Sequence, residues 1–314
     1  MRPKEYRIKE LLREKGLDGA IVSSPENFHY VTGFGGHQHT VSRQPGFTLA
    51  VMRVDDKVPT HLTTMDFEAA TFRIKAAGLN FVVDPYDTWV GLKTWDEIAH
   101  GAVVPDKTAM ESSMDKLVQF MKACDLANKK VGIELDYLPV PYYKSLTEKF
   151  PEAEFVDISD LFVYARSVKQ PDEIEMFRNL CRIADHGFTE VSKIAKIGVS
   201  ERELVQCFRE DVIKSGFCAP SSWSMFSTGP SSARLTLPGD GVVKDGDVVK
   251  FDAGVNAEFD FYTTDTSRAW IIGNGDPALL KLKDRLYEGQ RRMIAAAKPG
   301  LPINELYHTA YDYV

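Results

Sequence analysis

Apolar residues recur along the chain with two different periods, and the change of pattern divides it into two halves. Tyr6, Ile8, Leu11 and Leu12 share one face of a 3.6-residue period, which predicts a helix over residues 5–15. A short buried strand is predicted at 19–22, and Pro25-Glu26-Asn27 reads as the start of a second helix. Further strands are predicted at 48–54, 61–64, 81–84 and 131–134, with helical patterns between them at 67–77, 114–124 and 142–150. Strands alternating with helices predict an α/β layer domain with a largely covered sheet. Its end is placed near Ala165, giving a first domain of residues 1–165.

Residues 166–171 form a polar connector. Pro171 followed by Asp172 and Glu173 suits the first turn of a helix reaching about residue 195. Ser200-Glu201-Arg202-Glu203 is a capping box ahead of Leu204, Val205 and Phe208. After Gly216 the pattern turns to strands at 224–227, 248–255 and 259–272. Helix returns at 279–298, is ended by Pro299-Gly300, and begins again at 303–314. The second domain, residues 166–314, is therefore expected to be α+β. Neither repeats nor low-complexity stretches interrupt it.

Composition adds exclusions. A formal net charge of −7 over 314 residues argues against a nucleic-acid or anionic-membrane surface. No stretch approaches the ~18 apolar residues of a membrane span, and the first residues carry no apolar signal core. Cys124, Cys181, Cys207 and Cys218 have neither metal-ligand nor redox spacing and are expected to be buried free thiols. Free thiols fit a reducing cytosol, so a soluble cytoplasmic protein is expected.

Candidate chemistry concentrates in residues 244–273. A turn at Asp245-Gly246-Asp247 precedes an apolar strand that delivers Asp252, and a returning strand delivers Asp265. The two lie 13 residues apart, an odd separation, which in a hairpin with an even-length loop makes them direct cross-strand partners. Facing carboxylates repel, and a divalent cation would compensate them with hard oxygen ligands. Paired carboxylates can also bridge two metals ~3.5–4 Å apart. The same residues would also serve as turn residues, or one could be protonated or paired with Arg268. Spacing alone does not choose between these readings, and Asp260 reads as a turn residue.

Four motifs in order along the chain change the balance. The hairpin of strand-Asp-x-Gly and Asp-x-x-Arg resembles the metal-binding hairpin of the pita-bread peptidases, the family of aminopeptidase P, prolidase, methionine aminopeptidase and creatinase. Gly16-Leu17-Asp18-Gly19-Ala20 and the segment from Asn27 through His29-Tyr30-Val31-Thr32-Gly33-Phe34 are similar to the opening of the creatinase/prolidase N-terminal domain. Arg166-Ser167-Val168-Lys169-Gln170-Pro171-Asp172-Glu173-Ile174 resembles the linker into the catalytic domain, and Lys298-Pro299-Gly300 the turn after the next long helix. The resemblance implies a ribonuclease-H-like first domain and a pita-bread second domain. It implies Asp252 and Asp265 as ligands of two divalent metals (Mn favoured over Co, Zn or Fe), with Arg268 as their ion-pair partner. It further implies Xaa-Pro aminopeptidase or dipeptidase activity on small peptides through a metal-bridged hydroxide, in a homodimer.

The chain departs from that family in three places. Members complete the site with a His and two Glu downstream. Here the only later histidine, His308, lies in a predicted helix and reads as a surface or packing residue, as Glu288 and Glu305 read as solvated ones. Two ligands stand where five are implied, so the chain is expected to be C-terminally truncated and inactive as it stands, with its sheet half built; a decayed site is the alternative. The hairpin also carries two more residues than usual, with Asn256-Ala257-Glu258-Phe259-Asp260 at its tip, which keeps the parity. Finally, the substrate-binding His of the peptidases is missing: no histidine occurs between His186 and His308, and Thr236 falls near its slot. Arg234 would replace it as a fixed cation, an electrostatic clamp and not a proton shuttle. That substitution leaves room for creatinase-like or sulfonium-lyase-like chemistry on the same scaffold, or for an inactive binding module. His37 and His39, a glycine-adjacent pair, could bind metal if they lie on a strand, where alternate residues share a face; they read rather as a polar loop at the edge of the first domain that helps shape substrate choice, and His186 reads as structural.

Overall fold

The computed structural model describes residues 3–88, 94–101, 107–216, 218–257 and 260–314. The chain divides into two compact units, the main change falling between Gln170 and Pro171, with Asp260 and Phe261 grouped with the first.

The first unit runs α1 (Pro3–Glu14), β1 (Gly19–Val22), α2 (Pro25–Thr32), α3 (His37–Val41), β2 (Leu49–Arg53), β3 (Thr60–Thr63), α4 (Ala69–Ala76), β4 (Phe81–Val83), α5 (Trp95–Ala99), α6 (Ala109–Ala123), β5 (Lys130–Ile133), α7 (Val140–Lys149), β6 (Glu154–Asp157) and α8 (Ser159–Ser167). Its strands form one mixed sheet in the order β4-β3-β2-β1-β5-β6. Both faces are covered, and β1 shows why its residues are all apolar. Ala20 and Val22 enter a core with Ile8, Leu12, Phe28, Phe72 and Phe162, while Ile21 between them enters one with Leu117, Phe120, Met121 and Leu146. A two-residue period places successive side chains on opposite faces, so a strand packed on both sides reads as a continuous apolar run. The N-terminus of α2 is held from β5. The buried Glu134 carboxylate accepts from the Ser23 and Ser24 amides, the Ser24 hydroxyl and the Asn27 amide group.

The second unit contains α9 (Pro171–Ile194), α10 (Glu201–Lys214), β7 (Cys218–Pro220), β8 (Met225–Thr228), β9 (Val248–Ala253), β10 (Val255–Ala257), β11 (Thr266–Ile271), α11 (Pro277–Ala296) and α12 (Ile303–Tyr311). The order β11-β9-β8 makes one antiparallel sheet, and β10 pairs with β7 in a second. Helices α9 and α10 pack on one face of the first sheet through Leu180, Phe188, Leu204 and Phe208, against Phe226, Val249 and Phe251. The aromatic rings interlock edge to face, Phe226 on Phe251 at 4.3 Å and Phe251 on Trp270 at 4.7 Å between centroids. Gly187 sits within α9 where a Cβ would come 2.8 Å from the Phe208 ring, so its lack of a side chain sets how closely the two helices approach.

Several expectations need correction. Residues 37–41 form a helix, not a loop or strand, so His37 and His39 do not share a face. The strand expected over 248–255 breaks at Gly254, and of the one expected over 259–272 only Thr266–Ile271 is regular strand, with Asp260 in a turn and Phe261 at a left-handed φ of 60°. Glu258 and Phe259 of the expected hairpin tip lie outside the described residues. Of the thiols, Cys124 and Cys218 are buried, Cys207 is half-buried and Cys181 is exposed, because it falls on the solvent side of α9. Helices α5 and α8 and strand β6 escaped the sequence pattern: they are short, and α5 buries no residue.

Candidate metal centre

Strand β9 alternates strictly. Val249, Phe251 and Ala253 are fully buried on the face covered by α9 and α10, and Val248, Lys250 and Asp252 lie half-buried on the other. The ladder with β11 pairs Asp252 with Ser267 and Ala253 with Thr266, and on its other side Asp252 faces Met225 of β8. Beyond Ala253 the same register continues. Thr264 N donates to Val255 O at 2.9 Å and Ala257 N to Tyr262 O at 2.8 Å, which places Asp265 opposite Gly254. Asp252 and Asp265 thus share a face, as parity requires, but as diagonal neighbours and not as the direct partners expected from the sequence. Asp252 is paired with Ser267, two residues past Asp265, and the bridge between Asn256 and Thr263 keeps that same register.

Gly254 makes the diagonal possible. A Cβ there would collide with the Thr264 carbonyl, and glycine leaves empty the place directly across from Asp265. The two carboxyl groups meet closely enough to share a hydrogen bond. Burial first, then the charge and the hydrogen bond of Asp265, hold the Asp252 carboxyl above the usual carboxylate range, while Lys250 on the same face opposes them. A pair of oxygen donors that repel each other on one strand face fits a divalent cation. Among the described residues no cluster of three or more His, Cys, Asp or Glu is placed to hold a metal, so the fit rests on these two carboxylates.

The other expected residues fall elsewhere. Arg268 lies opposite Phe251, on the face away from the aspartate pair. It bonds Asp185 of α9 at 2.7 Å and stacks over Phe188, because odd and even positions of β11 point to opposite sides. Arg234 is exposed and half-buried Thr236 follows it, both beyond the 3-10 turn Gly229–Ala233. Arg234 is brought to the aspartate face through its backbone: the Lys250 ammonium donates to its carbonyl at 2.8 Å. In the first unit His37 is exposed, whereas His39 is 1% exposed, its Nε2 2.9 Å from the Ser23 carbonyl and its ring edge-on to Phe28. That places His39 in a packed interior and not at a polar edge. His186 is exposed and bonds Asp211 at 2.8 Å, and His308 is exposed with Asp312 at 3.3 Å.

Two residues that bear on the aspartate face had gone unread, one directly and one through the chain between β8 and β9. Lys250 shares their strand face. Glu201, seen only as part of a capping box, is 3% exposed and accepts from Thr228 N, Ser231 Oγ and Gly239 N. The glycines of Pro238-Gly239-Asp240-Gly241 were its only trace in the sequence.

Residues 6–168 match the model of the Creatinase/Prolidase N-terminal domain, over half of the chain. The chain belongs to that family. In this creatinase/prolidase-family protein, residues 175–314 in turn match Metallopeptidase family M24, so a creatinase-type domain precedes a pita-bread metallopeptidase region. It is 24% identical over 303 residues to a Xaa-Pro dipeptidase of Lactobacillus delbrueckii subsp. lactis, covering 96% of this chain and 74% of the relative. An uncharacterized peptidase of Bacillus subtilis (strain 168), YqhT, is 24% identical over 98% of this chain and 76% of its own length. Among solved structures, a Xaa-Pro dipeptidase from Bacillus anthracis superposes with TM-score 0.77 at 21% identity, over 99% of this chain and 76% of that one. The prolidase from Pyrococcus horikoshii OT3 does so with TM-score 0.75 at 19% identity, over 99% and 77%. At such identities the superpositions establish the shared fold.

Proposed function

We propose that this creatinase/prolidase-family protein is a metal-dependent hydrolase of small peptides, of the Xaa-Pro dipeptidase type. The observation that carries the reading is the diagonal aspartate pair, forced together on one strand face within the M24 region. Asp252 and Asp265 would hold the cation, with manganese favoured over cobalt, zinc or iron and a second divalent ion beside it. When bound, such a cation polarises a substrate carbonyl and acidifies water. Arg234, permanently charged, would clamp an anionic or oxyanionic group of the substrate without exchanging protons. A cytoplasmic homodimer completes the reading; among the described residues no helix is long and apolar enough to cross a membrane.

The test is hydrolysis of Ala-Pro by the full-length protein with Mn²⁺, beside its Asp265→Asn variant. Turnover is expected to require the metal and to fall about 100-fold or more in the variant. Full activity in Asp265→Asn rejects the assignment. Thr236 in the slot of the missing histidine favours a second reading, non-peptide chemistry on the same scaffold. Creatine and dimethylsulfoniopropionate assayed beside proline dipeptides separate the two, and metal binding without turnover of any of them points to a binding module.

A further inference from the structure

The segment between β8 and β9 leaves and returns to the sheet at a single buried carboxylate. On the way out, Thr228 N and Ser231 Oγ donate to Glu201 Oε1 at 2.8 and 3.1 Å. On the way back, Gly239 N donates to Glu201 Oε2 at 2.7 Å. Glu201 N closes the clasp by donating to Gly241 O at 2.9 Å. A Cβ at Gly241 would stand 2.6 Å from Glu201 Oε1, so the returning chain passes against the carboxylate as only glycine permits. Arg202 and Asp240 add an exposed pair at 2.9 Å outside it. Ionised carboxylate to backbone N–H bonds are the stronger kind, and these are shielded from water.

Between those two ends the strap touches down once more, where Lys250 Nζ holds the Arg234 carbonyl. Lys250 points from the same strand face as Asp252, two residues away. The middle of the strap, Arg234-Leu235-Thr236-Leu237, is therefore held on the aspartate face at Arg234 and fastened at both ends to Glu201. Leu235 and Leu237 nevertheless remain 71% and 66% exposed.

We propose that Glu201 is a positioning residue: through the strap of residues 229–241 it places Arg234 and the leucines against substrate bound at Asp252 and Asp265. The functional half of this inference rests on the peptidase reading; the clasp itself does not. The strap then selects substrates with an uncharged apolar side chain and an anionic terminus, the first against Leu235 and Leu237 and the second at Arg234.

Glu201→Gln is the discriminating variant. The amide keeps one oxygen for Thr228 and Ser231 but turns an N–H toward Gly239 N, so it opens one end of the strap and leaves the helix intact. Amide hydrogen exchange, read by mass spectrometry on the full-length protein without ligand, is expected to quicken over residues 229–241 and nowhere else. Lys250→Met is expected to quicken the same segment from its middle. With Mn²⁺ and Ala-Pro, KM is expected to rise about tenfold in Glu201→Gln while kcat stays within about twofold and Mn²⁺ affinity is unchanged. Glu201→Asp, which retains the charge, should restore part of the loss. Unchanged exchange in the strap overturns the clasp. Faster exchange with unaltered KM, or a parallel loss of kcat and Mn²⁺ binding, overturns the positioning role. A wild-type protein inert toward Ala-Pro overturns the peptidase reading and, with it, the substrate assignment, while the exchange measurement still decides the clasp.

Discussion

His39 lies where burial outweighs the pull of the nearby Glu26 carboxylate on a charged imidazole. Its Nε2–H donates to Ser23 O and its Nδ1 has no partner among the described residues, and burial lowers its pKa from the ordinary 6.5 to about 4. The unfolded chain takes up a proton near pH 6.5 that the folded chain refuses until about pH 4. Stability from this group is complete above pH 6.5 and is lost as the pH falls from there toward 4, by up to ~3 kcal/mol. Urea midpoints measured across that window should fall steeply for the wild type and less steeply for His39→Gln, which can keep the bond to Ser23. Equal slopes would mean that His39 charges freely in the folded state. Nothing in Gly35-Gly36-His37-Gln38-His39 announces this. Phe28 and Ser23 enclose the ring from earlier in the chain, and only the fold brings them there. Arg268 teaches the same lesson from the other direction. The resemblance implied an ion pair with the aspartates, but strand parity turned it to Asp185, an exposed pair of the kind that contributes at most ~1 kcal/mol.

Between β9 and β11, the element that matters most for function is a residue without a side chain. Gly254→Ala would drive a methyl group into the Thr264 carbonyl, and the hairpin would have to open to admit it. A destabilisation of about 1–3 kcal/mol is expected, with Mn²⁺ affinity falling as Asp252 and Asp265 part. Calorimetric titration of the variant with Mn²⁺ checks this, and wild-type affinity would show that the ladder beyond Ala253 is not what sets the pair. How far this hairpin was legible is instructive. Alternation of Val249, Phe251 and Ala253 with Lys250 and Asp252 is visible in the sequence and placed both aspartates on one face. The register was not visible, because it depends on how many tip residues pair, and Asn256 with Thr263 extend the ladder in a way that composition does not encode. Glu201 was hidden for a similar reason. A helix-start motif identifies an acid in the first turn, but its bonds reach 27 to 38 residues along the chain to backbone groups that carry no side-chain signature.

Over the whole molecule, the broad architecture followed from the alternation of strand and helix periods because cores demand it. Strands of the first unit are apolar on both sides where helices cover both, and those of the second alternate where only one face is packed. The two units therefore have separate cores, and the two ionisable features that set their stability are divided between them. His39 belongs to the first and the aspartate pair to the second. Repulsion between two close carboxylates is a load on the fold that a cation removes, so metal acts as a ligand of the native second unit. Each tenfold rise in free Mn²⁺ above its Kd should add about 1.4 kcal/mol there. A scanning calorimeter should then see two melting transitions with different handles. Acid should pull down the one, chelator should pull down the other, and a mildly acidic buffer containing manganese should exchange which half of the protein lets go first.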